Sequence, residues 1–423
     1  IGCEAIMYES FTKLHIPSTY RTVNPIGIYQ CRQMETLEIE EGLERLEAVS
    51  IASAYVLKNV TLPASLNYFG ENTFYRCYEL GVGNLQVAEG NGHFMMKDNG
   101  KWLSNLGGDR LYWANFSKLG ASVVIGEEIT YLHSGLFCDD NLLESITINC
   151  DLEFLGVGTF YNTPELNSVA LNGSIEYIFG FTDVFNDDFY TWLTPLEKEQ
   201  IMYYGAFESC VNLSEVLFVE GEELLTIGDK AFYRCTALKS IKLPERTLSL
   251  GENCFDGSGL SDIDFGGVRT IAANAFGNTK SLSVLTIPAS VTEIGKYAFR
   301  SSAISEIKFA PRATGKEETP FEPLKLGESV FTYCASLKKA TFPDGLTSIP
   351  DSTFYNCAAL TYVYVPKTVA NGDDVVAGVS GFARAIGPRA FYHCESLAEI
   401  EFGLGGTGDL SFAERAFWGC TSL

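Results

Sequence analysis

Twelve cysteines, four histidines, 53 acids and a large aromatic complement (21 Tyr, 29 Phe, 4 Trp) are the residues of this 423-residue chain that could do chemistry. Their spacing limits what that chemistry is. No Cys-x-x-Cys pair occurs, so a zinc site built on paired thiolates has no basis in the sequence. His15, His93, His133 and His393 are scattered, without the His-Glu-x-x-His spacing that sets two imidazoles on one helix face. The nucleophile elbow, the phosphate-binding loop and the dinucleotide fingerprint are missing as well. No catalytic residue, no cofactor and no metal is therefore expected. Aromatic side chains remain as the binding chemistry. Trp102, Trp113, Tyr190 and Trp192 fall in segments that interrupt the periodicity of the chain, where loops carry function more often than scaffolds do. With Tyr364 they are the ligand-binding candidates. A further aromatic set, Tyr29, Tyr75, Tyr161, Tyr233, Tyr355, Tyr392 and Trp418, recurs at one repeat position and reads first as a half-buried packing ladder.

The elements that position these residues are internal repeats. Residues 227–244 read IGDKAFYRCTALKSIKLP, and 349–366 read IPDSTFYNCAALTYVYVP. With the Phe as anchor, the pattern recurs at Phe74, Phe137, Phe160, Phe207, Phe232, Phe255, Phe276, Phe299, Phe331, Phe354, Phe391 and Phe417, with weaker copies at Ile6, Ile28 and Ile51. Several successive anchors differ by 23, inside the range of about 20–29 for leucine-rich repeats. The expected fold is a leucine-rich repeat of the α/β type: one β-rich, right-handed solenoid of about fifteen coils over residues 1–423, with short parallel strands and 3₁₀-like turns.

Each consensus position has a mechanical reading. The alternation at Leu238, Ile241 and Leu243 buries one face of a short strand, and Pro244 then ends its pairing. Gly70, Gly156, Gly228, Gly251 and Gly295 follow an apolar residue where a tight bend can use a positive φ. Cys31, Cys77, Cys210, Cys235, Cys334, Cys357, Cys394 and Cys420 share one position, filled elsewhere by Thr163, Ser258, Thr279 and Ser302, so a small, buried, reduced thiol is expected there. Between the two inward strand residues, the outward acids are Glu38, Asp264 and Glu401. They lie coils apart, beyond the roughly 5–9.5 Å a glycosidase pair requires.

Insertions are expected near 88–128, 172–201, 311–320 and 370–381. Phe74 and Phe137 lie 63 residues apart, and Asn99-Gly100 between apolar runs marks a hairpin in that stretch. Thirty Lys plus Arg against the 53 acids leave a net charge of −23, which disfavours nucleic acid and anionic membrane surfaces. No apolar run approaches the roughly 20 residues that span a bilayer.

The pattern I-G-x-x-A-F-x-x-C-x-x-L-x-x-I-x-I-P resembles the BspA-like leucine-rich repeats of bacterial surface proteins, also called the Treponema pallidum type, over essentially the whole chain. The resemblance implies a secreted or surface-anchored, non-catalytic module for binding or adhesion. It further implies host extracellular-matrix or mucosal protein or glycan as the partner, engaged through the solenoid face and the insertions. The other class to be weighed is an accessory or scaffold segment of a larger surface enzyme. Because the chain begins at Ile1-Gly2, inside the repeat motif, and stops at Leu423 before the next strand, a longer native protein carrying export and anchoring signals is expected.

Overall fold

The computed structural model describes residues 1–179, 204–219, 221, 223–311, 323–369, 385–403 and 411–423. It is a parallel β-solenoid of about 14 turns with almost no helix. Two compact units divide the chain, Ile1–Val219 and Glu220–Leu423. The expected insertions at 311–320 and 370–381 lie essentially outside the described residues.

The period-two pattern builds the main strands. Asn59–Leu62 alternates exposed and buried side chains and pairs in parallel with its neighbours one coil away on either side. Register is like on like. His15, Glu38, Thr61 and Gln86 form one outward column in the first unit, and Thr286, Lys308, Thr341, Tyr364 and Glu401 form another in the second. Ser122–Ile125 joins this system, pairing residue for residue with Ser145–Ile148. The insertion expected at 88–128 is therefore shorter at its C-terminal end. Ile175–Ile178 likewise pairs in parallel with Leu152–Leu155, so the start of the interruption expected at 172–201 is regular pairing, and its part from residue 180 lies outside the described residues. Ser122–Ile125 keeps the buried alternation, whereas Ile175–Ile178 buries its two end residues and leaves Glu176 and Tyr177 outward.

The turn side depends on the phenylalanine anchors. Phe137, Phe160 and Phe207 stack with centroids 5.1 and 5.0 Å apart and planes within 5°. In the second unit the column runs from Phe232 to Phe417 with spacings of 5.2–5.5 Å. The turns are successive i→i+3 bonded bends, as from Cys235 N–H to the Phe232 carbonyl; among the described residues a continuous 3₁₀ helix forms only at Tyr78–Val82. In most coils two residues, two before and two after the anchor, are left-handed: Lys230 and Arg234 at φ 54° and 60°, Ser352 and Asn356 at 55° and 58°. A non-glycine residue there costs roughly 1–2 kcal/mol. In return, the turn directs three N–H groups along the stack: Lys230, Phe232 and Arg234 donate to the carbonyls of Glu252, Cys254 and Asp256 at 2.8–3.0 Å.

This corrects the reading of the consensus glycines. Gly70, Gly251 and Gly295 do not have positive φ. They sit where the backbones of two coils come close: a Cβ at Gly70 would stand 2.3 Å from the Ala48 nitrogen, and one at Gly251 2.5 Å from that of Asp229. Glycine is there because backbone meets backbone.

The consensus cysteines have a role beyond their size. The thiols of Cys210, Cys334, Cys357, Cys394 and Cys420 donate to the anchor carbonyl of the preceding coil at 2.9–3.1 Å, and Thr163 Oγ1 does the same for Phe137 at 2.8 Å. All twelve cysteines are free thiols. Burial pushes those of Cys77 and Cys210 up to about 12. Alkylation of the native protein at neutral pH should therefore modify exposed Cys3 and spare Cys77, Cys210 and Cys357, as mass mapping would report; prompt labelling of Cys357 would refute the burial. Phe354, fully buried between Phe331 and Phe391, should cost about 3–5 kcal/mol when changed to Ala, measured by denaturant unfolding; a loss under about 1 kcal/mol would contradict the stack.

Candidate functional site

The side strands opposite the main sheet begin as a regular ladder, with Thr22–Val23, Arg45–Leu46 and Tyr68–Phe69 in parallel register. The ladder then stops. Where the next rung would lie, the chain runs through three antiparallel strands, Phe94–Lys97, Trp102–Asn105 and Arg110–Ala114. Asn99 and Gly100 take the left-handed turn positions at φ 57° and 82°, as the Asn-Gly signal predicts. Only the third strand rejoins the solenoid, pairing Arg110 with Tyr131 and Leu111 with Leu132 in parallel.

A segment that replaces a coil must also supply that coil's core. Trp102 is 6% exposed and meets Phe137 edge-on at 6.0 Å, and so closes the phenylalanine column. Trp113 is 9% exposed and belongs to the hydrophobic cluster with Phe69 and Phe94. Neither is the ligand-facing aromatic expected of an insertion. Tyr190 and Trp192 lie outside the described residues. Tyr364 stands half-buried on the outward face of Tyr362–Val365 in the second unit, next to Glu401, which accepts the Tyr362 hydroxyl at 2.5 Å.

The missing rung leaves a groove of about 330 Å³ beside the hairpin. One wall is Asn67, Tyr68, Phe69 and Glu71; the other is Arg110 and Tyr112, with Tyr131, His133 and Phe94 behind. In regular coils the wall's carbonyls are used: Glu44 O accepts from Asn67 and Tyr68, and Leu46 O from Gly70. Among the described residues no backbone N–H is bonded to the carbonyls of Asn67 or Phe69, which face the interruption. Glu71 spans the gap instead. Its carboxylate accepts the Tyr131 hydroxyl and the Ser134 N–H (2.8 Å), with His133 Nδ1 at 3.6 Å. Burial, reinforced by the Glu71 charge, holds the Tyr131 hydroxyl well above its ordinary pKa, so it stays a donor. Burial also raises that of Tyr112. Phe94 and Tyr112 pack edge to face at 5.3 Å. The Arg110 guanidinium lies 5.0 Å from the Tyr131 ring centre, and that of Arg45 lies 3.8 Å from the Tyr68 ring centre.

The arrangement offers ring faces and edges, two free backbone acceptors and a cation; its acid is occupied by donors. That is binding equipment. Sequence reasoning missed Glu71, Arg110, Tyr112 and Tyr131. A signal existed: Tyr68 and Tyr131 both stand six residues before an anchor, and the 63-residue gap between those anchors marks the lost rung between them.

In the first coil after the hairpin the cysteine position is Asp140, 1% exposed, whose carboxylate accepts from the N–H groups of Leu142 (2.8 Å) and Leu143 (3.2 Å). Burial pushes its pKa up to about 6, the two N–H bonds opposing. The folded state thus favours the neutral acid, a contribution fully present below about pH 4 and lost as pH rises through about 6. Asp140→Asn should therefore exceed the parent in stability by about 1–3 kcal/mol at about pH 8 and match it near pH 4, read from urea midpoints. A gap independent of pH would sink this account.

With a leucine-rich-repeat solenoid established by the geometry, comparison with known proteins places it more narrowly. The family model described as BspA type leucine rich repeat region matches residues 1–88, 113–188, 200–325 and 268–375. The chain belongs to that family, one of bacterial surface proteins. No curated protein shows significant similarity to it. Similar solved structures include a leucine-rich repeat protein from Eubacterium ventriosum (16% identity, 73% of this chain and 85% of that one, TM-score 0.50). Another, from Bacteroides ovatus, is 18% identical over 99% of this chain and 81% of its own (TM-score 0.41). The T. pallidum leucine rich repeat protein is 25% identical over 50% and 77% (TM-score 0.30).

Proposed function

We propose that this chain is a non-catalytic binding module, displayed at a bacterial surface or secreted, that engages a host protein or glycan through the groove beside its hairpin. The observation that carries the reading is the interrupted ladder: it leaves unbonded strand carbonyls, a cation and aromatic rings around one concavity. Membership of a surface-protein family supports the location, and that family is typically non-catalytic. The net charge of −23 adds that long-range steering, where it operates, favours basic patches on the partner and weakens with salt.

Immobilised fibronectin, fibrinogen and mucin, each tested at low and high ionic strength, provide the measurement. Saturable binding to at least one is expected, weakened about tenfold by Tyr112→Ala in a variant that keeps its far-ultraviolet spectrum. Absence of saturable binding to all three would remove the adhesion reading, and undiminished binding by the variant would move the site to the outward strand face, where Tyr364 stands. Trp102 and Trp113 are unsuitable probes, because truncating a buried Trp costs about 3–5 kcal/mol and reports on folding.

A further inference from the structure

We propose that the groove takes an acidic sugar residue, its carboxylate paired with Arg110 and its hydroxyls donating to the carbonyls of Asn67 and Phe69. The inference rests on the groove being the binding site and names the class of ligand it fits.

Charge comes first. In a chain of net charge −23, the neighbouring cations already have partners: Arg45 Nε stands 2.6 Å from Glu47, Lys97 Nζ 3.6 Å from Glu128 and Arg21 Nε 3.8 Å from Glu44. Arg110 forms no ion pair among the described residues and rests against the Tyr131 ring. The Tyr112 hydroxyl takes one N–H of this guanidinium, and of its five donors those left over can meet a carboxylate. The acid facing it across the groove, Glu71, has its oxygens taken by the Tyr131 hydroxyl and the Ser134 N–H. The neighbouring Asp109 is likewise held, by Asn105 Nδ2 at 2.7 Å and Thr130 Oγ1 at 2.9 Å.

The wall opposite selects for hydroxyls. The carbonyls of Asn67 and Phe69 need donors, which a bare carboxylate or phosphate does not have. A ligand satisfying both walls carries an anionic group and several O–H donors within a few ångströms, as a uronic or sialic acid does. Tyr112 presents apolar ring surface for the C–H faces of a pyranose. The space, about 330 Å³, is near the lower bound of about 300 Å³ for small-ligand clefts and suits one or two sugar units. An extended peptide fits less well, because the open edge is the two-residue strand Tyr68–Phe69.

Titration of the purified chain with 3′-sialyllactose, digalacturonate and lactose, by calorimetry or saturation-transfer NMR, tests this. At least one acidic sugar should bind about tenfold or more tightly than neutral lactose, and high salt should weaken that preference. Arg110→Gln should remove the preference at an unchanged melting temperature, and Arg110→Lys should keep a part of it, since Lys supplies the charge without the fork. Equal binding of all three sugars, acidic-sugar binding untouched in Arg110→Gln, or no acidic-sugar binding at all would overturn the proposal. If sugars fail while Tyr112→Ala still abolishes binding to a matrix protein, the ligand class is wrong and the binding reading stands.

Discussion

Every coil of this protein is completed by its neighbour. The main strand shares its hydrogen bonds with the strands on either side, and the turn passes three N–H groups to the next turn. The anchor carbonyl takes a thiol from the coil that follows. A single coil is too small to bury its phenylalanine, so the hydrophobic term also exists only between coils. Anything that interrupts the array must therefore answer two demands at once: it must refill the core column and deal with backbone groups left without a partner.

The hairpin answers the first demand and not the second. Trp102 seals the phenylalanine column and Trp113 joins the cluster beside it, so the core runs on through the interruption. The side ladder is not restored between Tyr68–Phe69 and Arg110–Ala114, and a single carboxylate, Glu71, bridges the gap. The groove is what remains of the rung that was not replaced. Its polarity comes from backbone that a regular coil would have silenced.

How much of this can be read from sequence follows from which interactions repeat. The phenylalanine column, the strand register and the hairpin at Asn99-Gly100 are legible, because periodicity and turn chemistry are local signals. The glycine position misleads, because a bend and a close approach leave the same residue in the sequence, and only Cβ distances to the neighbouring coil separate them. The insertion tryptophans mislead for a related reason: departure from the repeat suggests exposure, whereas here it marks a substitute for buried consensus residues. Arg110 and Glu71 are invisible in isolation. Their meaning lies in a partner that is absent on one side of each, and a repeat pattern records what is present.

The paired left-handed residues around most anchors have a bearing on how such an array changes through time. Lys, Arg, Ser and Asn all occupy these positions at similar φ, so the backbone path is dictated by stacking more than by residue identity. A duplicated or deleted coil then meets the same surface above and below as before, and no neighbour has to be redesigned. Length becomes a freely variable trait, and the distance from the groove to either end can drift without altering the groove. Novelty in this architecture is thus cheapest at a missing rung, where an inserted hairpin leaves open the backbone that an intact side ladder conceals.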